Sequence, residues 1–264
     1  MREPSRFQIW YGRDEPPVET RELRAGPLTA VLEGIDLRYV RVGEVEIVRR
    51  LFVAIRDDSW ATIPPRIANL EVEAGSDSFR VSFDASHESG PLRFRWHGEL
   101  TGGSDGSVEC SLDGVAEADF DYNRIGFCIL HPRQNAGRPY RAHTPDGELS
   151  GTLPDLIGPQ RLEGGKLFPL FPSYDRLEIE LADGLSARFE FEGDLFEMED
   201  QRNWTDASFK TYSTPITLGW PHQARSGQAI RQRVRLTLQG AAERGGGAGE
   251  APIRIELADR KSVV

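Results

Sequence analysis

Short runs that alternate apolar and polar residues recur along the chain. Thr29-Ala-Val-Leu-Glu, Leu37-Arg-Tyr-Val-Arg-Val and Glu44-Val-Glu-Ile-Val follow one another, separated by Gly34 and Gly43. Phe79-Arg-Val-Ser-Phe, Leu92-Arg-Phe-Arg-Trp-His, Leu177-Glu-Ile-Glu-Leu, Ala187-Arg-Phe-Glu-Phe-Glu-Gly and Ile230-Arg-Gln-Arg-Val-Arg-Leu-Thr-Leu keep the same period of two. That period puts one set of side chains on a buried sheet face and the other in solvent. Leu51-Phe-Val-Ala-Ile is apolar throughout, as a strand buried on both faces would be. No window sustains a 3.6-residue period with capping signals. The pattern predicts an all-β fold: one large, mostly antiparallel β-sandwich, with turns at the scattered Gly and Pro. The Pro- and Gly-rich region 138–171 reads as a long connection across one face.

The pattern ends before the chain does. From Gln239 the composition becomes that of a linker, Gly-Ala-Ala-Glu-Arg-Gly-Gly-Gly-Ala-Gly-Glu-Ala-Pro. The reading is therefore a sandwich over 1–238, a linker over 239–252 and the start of a further segment over 253–258. The tail Asp259-Arg260-Lys261-Ser262-Val263-Val264 resembles the translation of a sequencing-library adapter and is set aside from the fold. On this reading the frame is truncated and a second domain follows in the natural protein.

At 264 residues the chain is long enough for a substantial core, and 13 Phe and 5 Trp argue against disorder despite a mean hydropathy of −0.47. The formal charge is −10, so a phosphate backbone would be repelled and nucleic acid is not an expected partner. The N-terminus has no apolar signal region and no segment reaches membrane-spanning length, which predicts a soluble cytoplasmic protein. Cys110 and Cys128 sit in strand-like surroundings, without metal spacing, and read as buried thiols.

Three segments carry candidate chemistry. Glu197 to Tyr212, Glu-Met-Glu-Asp-Gln-Arg-Asn-Trp-Thr-Asp-Ala-Ser-Phe-Lys-Thr-Tyr, mixes acids, cations, amides and aromatics in a way that suits a pocket for a hydroxyl-rich ligand. It equally suits an ion-pair network that closes a sandwich. Asn123-Arg124-Ile-Gly-Phe-Cys-Ile-Leu-His131-Pro leads from a polar pair into an apolar strand. His131 is a candidate general base or a structural strand-end histidine, and Arg124 a partner for ligand oxygen or for a downstream acid. In Arg56-Asp-Asp-Ser-Trp60-Ala-Thr-Ile-Pro-Pro, a Trp stands at a strand end. Trp60 and Trp204 are either sugar-stacking faces or core side chains. No Gly-x-Ser-x-Gly elbow, phosphate-binding glycine loop or His-x-x-x-His pair occurs. Glu197, Glu199, Asp200 and Asp206 would suit an oxygen-ligand metal site, but Arg202 and Lys210 can neutralise them instead, so no metal is assigned.

The stretches 123–132 and 196–212 resemble signature segments of the bacterial D-apionate lactonases. Ala25-Gly-Pro-Leu, Asp36-Leu-Arg-Tyr-Val and Trp60-Ala-Thr-Ile-Pro-Pro-Arg are similar to further parts of that family. The likeness runs from about Gly26 to Val234, most of the chain. It implies a β-sandwich, of the galactose-mutarotase-like supersandwich type that Arg124-x-Gly126 also suggests, followed in longer members by a barrel absent here. It also implies opening of a sugar lactone, D-apionolactone to D-apionate, in apiose breakdown, with no cofactor. Such a reaction needs a base for water and a cation or N–H donors for the oxyanion. The candidates are Glu199, Asp206 or His131 as base and Arg124, Arg202 or Lys210 at the oxyanion. Asn123, Asn203, Trp204, Tyr212 and Trp60 are candidates to hold the sugar. The other reading is a non-catalytic sandwich that binds carbohydrate or braces the barrel.

Overall fold

A computed structural model describes residues 4–158, 162–163, 166–167, 169–204 and 207–240. Asp206 and the segments 239–252 beyond Gly240, 253–258 and 259–264 lie outside the described residues. The strands are β1 (Thr20–Ala25), β2 (Leu28–Glu33), β3 (Asp36–Val42), β4 (Val45–Asp57), β5 (Arg66–Ala74), β6 (Phe79–Ser89), β7 (Leu92–Gly102), β8 (Val108–Ala116), β9 (Phe120–Pro132) and β10 (Pro139–Thr144). They continue with β11 (Gly147–Thr152), β12 (Leu162–Glu163), β13 (Lys166–Leu167), β14 (Arg176–Ala182), β15 (Leu185–Glu192), β16 (Glu197–Asp200), β17 (Ser208–Tyr212), β18 (His222–Ala224) and β19 (Ala229–Gly240).

Two antiparallel sheets face each other. The first runs β1-β2-β3-β4-β9-β17-β16, with β18 also paired to β9; the second runs β11-β10-β14-β15-β19-β8-β7-β6-β5. Their inner faces close on a core that includes Leu37, Val48, Leu51, Ile125, Phe127, Ile129 and Phe209 from the first sheet. Phe83, Phe94, Leu112, Leu177, Phe189, Val234 and Leu236 come from the second. The expected alternation is visible in strands such as β14, where every second residue is buried, and in β15. This is the all-β sandwich that the period of two predicted.

Three local features differ from the sequence reading. The stretch 45–57 is one long strand, β4, because its polar Arg49 and Arg50 are half-buried on the sheet rather than placed in a turn. Within the supposed long connection, β10 and β11 form a hairpin that extends the second sheet through β14. Its side chains are largely solvated, so it lacks the apolar stripe that marks an inner strand. A six-residue helix, α1 (Arg6–Tyr11), is closed by Ser5 Oγ accepting from Gln8 N and by Gly12 at φ 73°. It is too short to show a period. Among the described residues no helix is long and apolar enough to cross a membrane.

Candidate functional site

β9 is the exception to the alternation: every residue from Tyr122 to Pro132 is buried. Ile125, Phe127, Ile129 and His131 point into the core, while Arg124 and Cys128 point to the other side of the first sheet. That outer side is covered as well, and the covering builds the site.

The register places the outer side chains in rows. Phe52, Cys128, Tyr212 and Glu197 lie across β4, β9, β17 and β16; Arg50, Leu130, Lys210 and Glu199 form the next row. Ala54, Cys128 and Tyr212 pack together with Phe52 and Ile216 as a small apolar cluster separate from the main core. Above Tyr212 lies Arg124, 4% exposed, with its guanidinium carbon 3.9 Å from the Tyr212 ring centre and 5.8 Å from that of Trp60. Trp60 meets Trp220 edge-on at 5.8 Å, so two half-exposed indoles form a lip.

The loop that carries Trp60 is tied down from several directions. Asp57 Oδ1 accepts from Ser59 N, Ser59 Oγ and Ala61 N, bonds that hold its carboxyl below the usual range. Arg56 Nη1 donates to Trp60 O at 2.9 Å and Asn123 Nδ2 to Asp58 O at 2.9 Å. Trp60 itself sits at φ 68°, a left-handed conformation that a large side chain rarely adopts.

Glu197, fully buried, accepts from Tyr212 Oη, Ser173 Oγ, Ile216 N and Thr217 Oγ1. It thereby fixes both the Tyr212 ring beneath Arg124 and the turn that leads to Trp220. Burial, first, and then the nearby Glu199 and Glu197 carboxylates push the Tyr212 phenol well above its ordinary range, so it stays neutral. Lys210 pairs with Glu199 and donates to Gln201 Oε1 at 2.9 Å, with its ammonium 5.5 Å from the Tyr212 ring centre.

The two signature segments are therefore neighbours through β9 and β17, as expected, but Arg124 makes no ion pair with the described acids of the second segment, Asp206 lying outside the described residues. Among the described residues its guanidinium has neither an ion pair nor a hydrogen bond, and Nε is sealed from solvent without a partner. The described acids of the second segment are used otherwise: Glu199 by Lys210, Glu197 by its four donors, Asp200 by Arg202. Arg56 stands directly opposite Arg124 in the β4–β9 register. It too has a sealed, unpartnered Nε and no ion pair among the described residues. The sequence pattern gave Arg56 no role, and Glu197 only that of a candidate metal ligand. The signal for Glu197 was its i, i+2 spacing from Glu199, which puts both on one face.

Other candidates lie elsewhere. His131 is on the inner face, fully buried, with Nε2 2.8 Å from Thr211 Oγ1 and its ring edge-on to Phe189 at 5.1 Å. Burial lowers it to about 3, so it is a neutral core imidazole with no path to the Arg124 side. Arg202 forms a two-pronged pair with Asp200 at 2.8 and 2.9 Å and donates to the carbonyls of Pro154 and Asp155. That fork holds a loop, with its Nε and both Nη2 donors taken. Asn203 bonds only Asp200 O and is exposed; Trp204 is 59% exposed at the same edge, away from the Trp60 lip. Asn123 Oδ1 is buried without a partner beside Arg124.

Gly126 has a packing reason of its own. At φ 155°, a Cβ there would lie 2.0 Å from Ser213 Oγ and 2.4 Å from Gln232 Oε1. Gln232 reaches over from β19 to accept from Phe127 N and donate to Ile125 O, where β9 has no strand neighbour between β17 and β18. Elsewhere, a hollow of about 700 Å³ on the outer face of the second sheet is lined by Asp84, His97, Asp113 and Arg231. Its polar side chains are engaged, His97 with Asp84, Arg231 with Asp113 and Arg95 with Glu117.

Comparison with known proteins gives a consistent result. The fold is similar to that of a putative aldose 1-epimerase of Escherichia coli K12, with a TM-score of 0.50 at 13% identity over 85% of this chain and 100% of that one. Galactose 1-epimerase of Lactobacillus acidophilus NCFM matches with a TM-score of 0.51 at 6% identity over 84% and 99%. At such identities the likeness concerns the supersandwich fold alone. In sequence, D-apionate lactonase of Brucella anthropi is 36% identical over 234 residues, 87% of this chain but 37% of that protein's length. The model of the D-apionate lactonase N-terminal domain matches residues 8–241. The chain belongs to the D-apionate lactonase N-terminal domain family.

Proposed function

We propose that this chain is the sandwich part of a longer sugar-lactone hydrolase that opens D-apionolactone to D-apionate, and that the Arg124 side of the first sheet takes part in the reaction. The observation that carries the reading is the buried Arg124, which has no ion pair or hydrogen-bond partner among the described residues. A guanidinium stays charged, and burying it uncompensated costs several kcal/mol, whereas an aromatic face returns about 0.5–2 kcal/mol. Such a group is better explained by an oxygen ligand than by packing. In the proposed step Glu199, held by Lys210, takes a proton from water as the water oxygen bonds to the lactone carbonyl carbon. Arg124 stabilises the oxyanion. The ring C–O bond then breaks, the proton passes to the leaving alkoxide and a hydroxy acid results. Trp60 lines the sugar, and Tyr212 supports the Arg124 guanidinium from beneath.

The bracing alternative has one observation in its favour. Leu156, Ile157 and Trp204 are 82%, 57% and 59% exposed near one sheet edge, where Arg202 ties their two loops together. An apolar group of this kind suits a missing C-terminal barrel. The lactone-opening rate of the full-length protein, followed by acid release, separates the two readings. Glu199→Gln and Arg124→Gln are each expected to lower kcat about 10²-fold or more. Near-full rates in both variants, with loss on changes in the remaining domain, leave the sandwich as a binding or bracing module.

A further inference from the structure

The paired arginines on β4 and β9 call for an occupant that a neutral lactone does not supply. Arg56 and Arg124 are cross-strand partners on one face, where like charges repel. Neither has an ion pair among the described residues, and each has an Nε sealed without an acceptor. The other charged groups on this face of β9, β16 and β17 are Lys210, Glu199 and Glu197. Glu199 is taken by Lys210, and Glu197 by Tyr212, Ser173, Ile216 and Thr217. A carboxylate is an acceptor that suits such a pair of arginines. Two guanidinium forks match its planar pair of oxygens better than a single ester carbonyl. The Trp60–Trp220 lip beside them offers aromatic faces to the C–H side of a polyol.

We infer that the Arg56–Arg124 face is an aldonate site, which holds the open-chain sugar acid by its carboxylate more tightly than the lactone and so makes the protein subject to competitive inhibition by its product. The identity of the sugar rests on the lactonase reading; the preference for a carboxylate rests on the two arginines alone. Opening the ring creates the carboxylate next to these forks, so affinity rises as the reaction proceeds. Arg56 is then a binding residue as well as the anchor of the Trp60 loop.

The test is calorimetric titration of the chain with sodium D-apionate, with D-apionolactone and with inorganic phosphate, repeated on Arg56→Gln and Arg124→Lys after circular dichroism confirms their folding. D-apionate is expected to bind at least about tenfold tighter than either of the other two, and each variant to weaken it by about tenfold, the worth of one charge-assisted hydrogen bond. Equal affinity for lactone and acid, tighter binding of phosphate, or variants that bind the acid normally each overturn the inference. Should the variants not fold, the wild-type ranking of the three ligands decides alone. The two readings fail separately. A full-length enzyme that opens the lactone but is not inhibited by D-apionate keeps its activity and loses this site. A chain that holds D-apionate while the Glu199 and Arg124 variants of the full-length protein retain full rates keeps the site and loses the catalytic reading.

Discussion

The core imidazole of His131 makes acid stability a direct probe of the inner face. Its ordinary value of 6.5 falls to about 3 because it is fully buried. Nδ1 is sealed without a partner and Nε2 meets only Thr211 Oγ1, which itself meets Tyr174 Oη. As pH falls below 6.5 the unfolded chain takes up a proton at this residue and the folded chain does not, until about pH 3. Stability is therefore full above 6.5 and is lost on acidification, with a slope approaching about 1.4 kcal/mol per pH unit. Between about pH 7 and about pH 4 the loss amounts to roughly 3 kcal/mol, a large part of a typical domain's 5–15 kcal/mol. Carboxylates also contribute to acid denaturation, so the wild type is compared with His131→Gln, which does not titrate. Urea unfolding at a series of pH values gives the stability difference between the two. The wild type should lose roughly 3 kcal/mol more than the variant over that window. Curves that stay parallel would mean that His131 titrates normally, and that it is not the dry core residue described above.

Three further outcomes follow from the packing. Gly126→Ala drives a methyl group into Ser213 Oγ and the Gln232 carboxamide, and should cost about 1–3 kcal/mol in urea unfolding; an unchanged midpoint refutes the close approach. Asp200→Asn removes one charge of a pair whose side chains are 6% and 4% exposed, and should cost about 3–5 kcal/mol while D-apionate affinity stays the same, since Arg202 is remote from the lip. Both thiols are buried, and burial pushes the Cys110 thiol far above its usual range; a thiol reagent should label neither in the native chain and both in denaturant, and fast native labelling of either contradicts this placement.

The sequence by itself determined the fold class, because a period of two specifies which side of each strand is dry, and one dry side per strand leads to two sheets face to face. It also determined the family, through the two long motifs at 123–132 and 196–212. It did not reveal the edge hairpin β10–β11, whose solvated side chains need no apolar stripe, or α1, whose Ser5 and Gly12 caps were present without a period between them. Which candidates belong together was a tertiary matter. Because both faces of β9 are covered, the strand carries no alternation to read, and only the fold shows that Arg124 and His131 point to opposite sides of one sheet. Only the register sets Arg56 against Arg124, residues far apart in the chain, and Lys210 against Glu199. Charge pairing depends on distances of a few ångströms across strands, and the order of residues along one strand does not contain them.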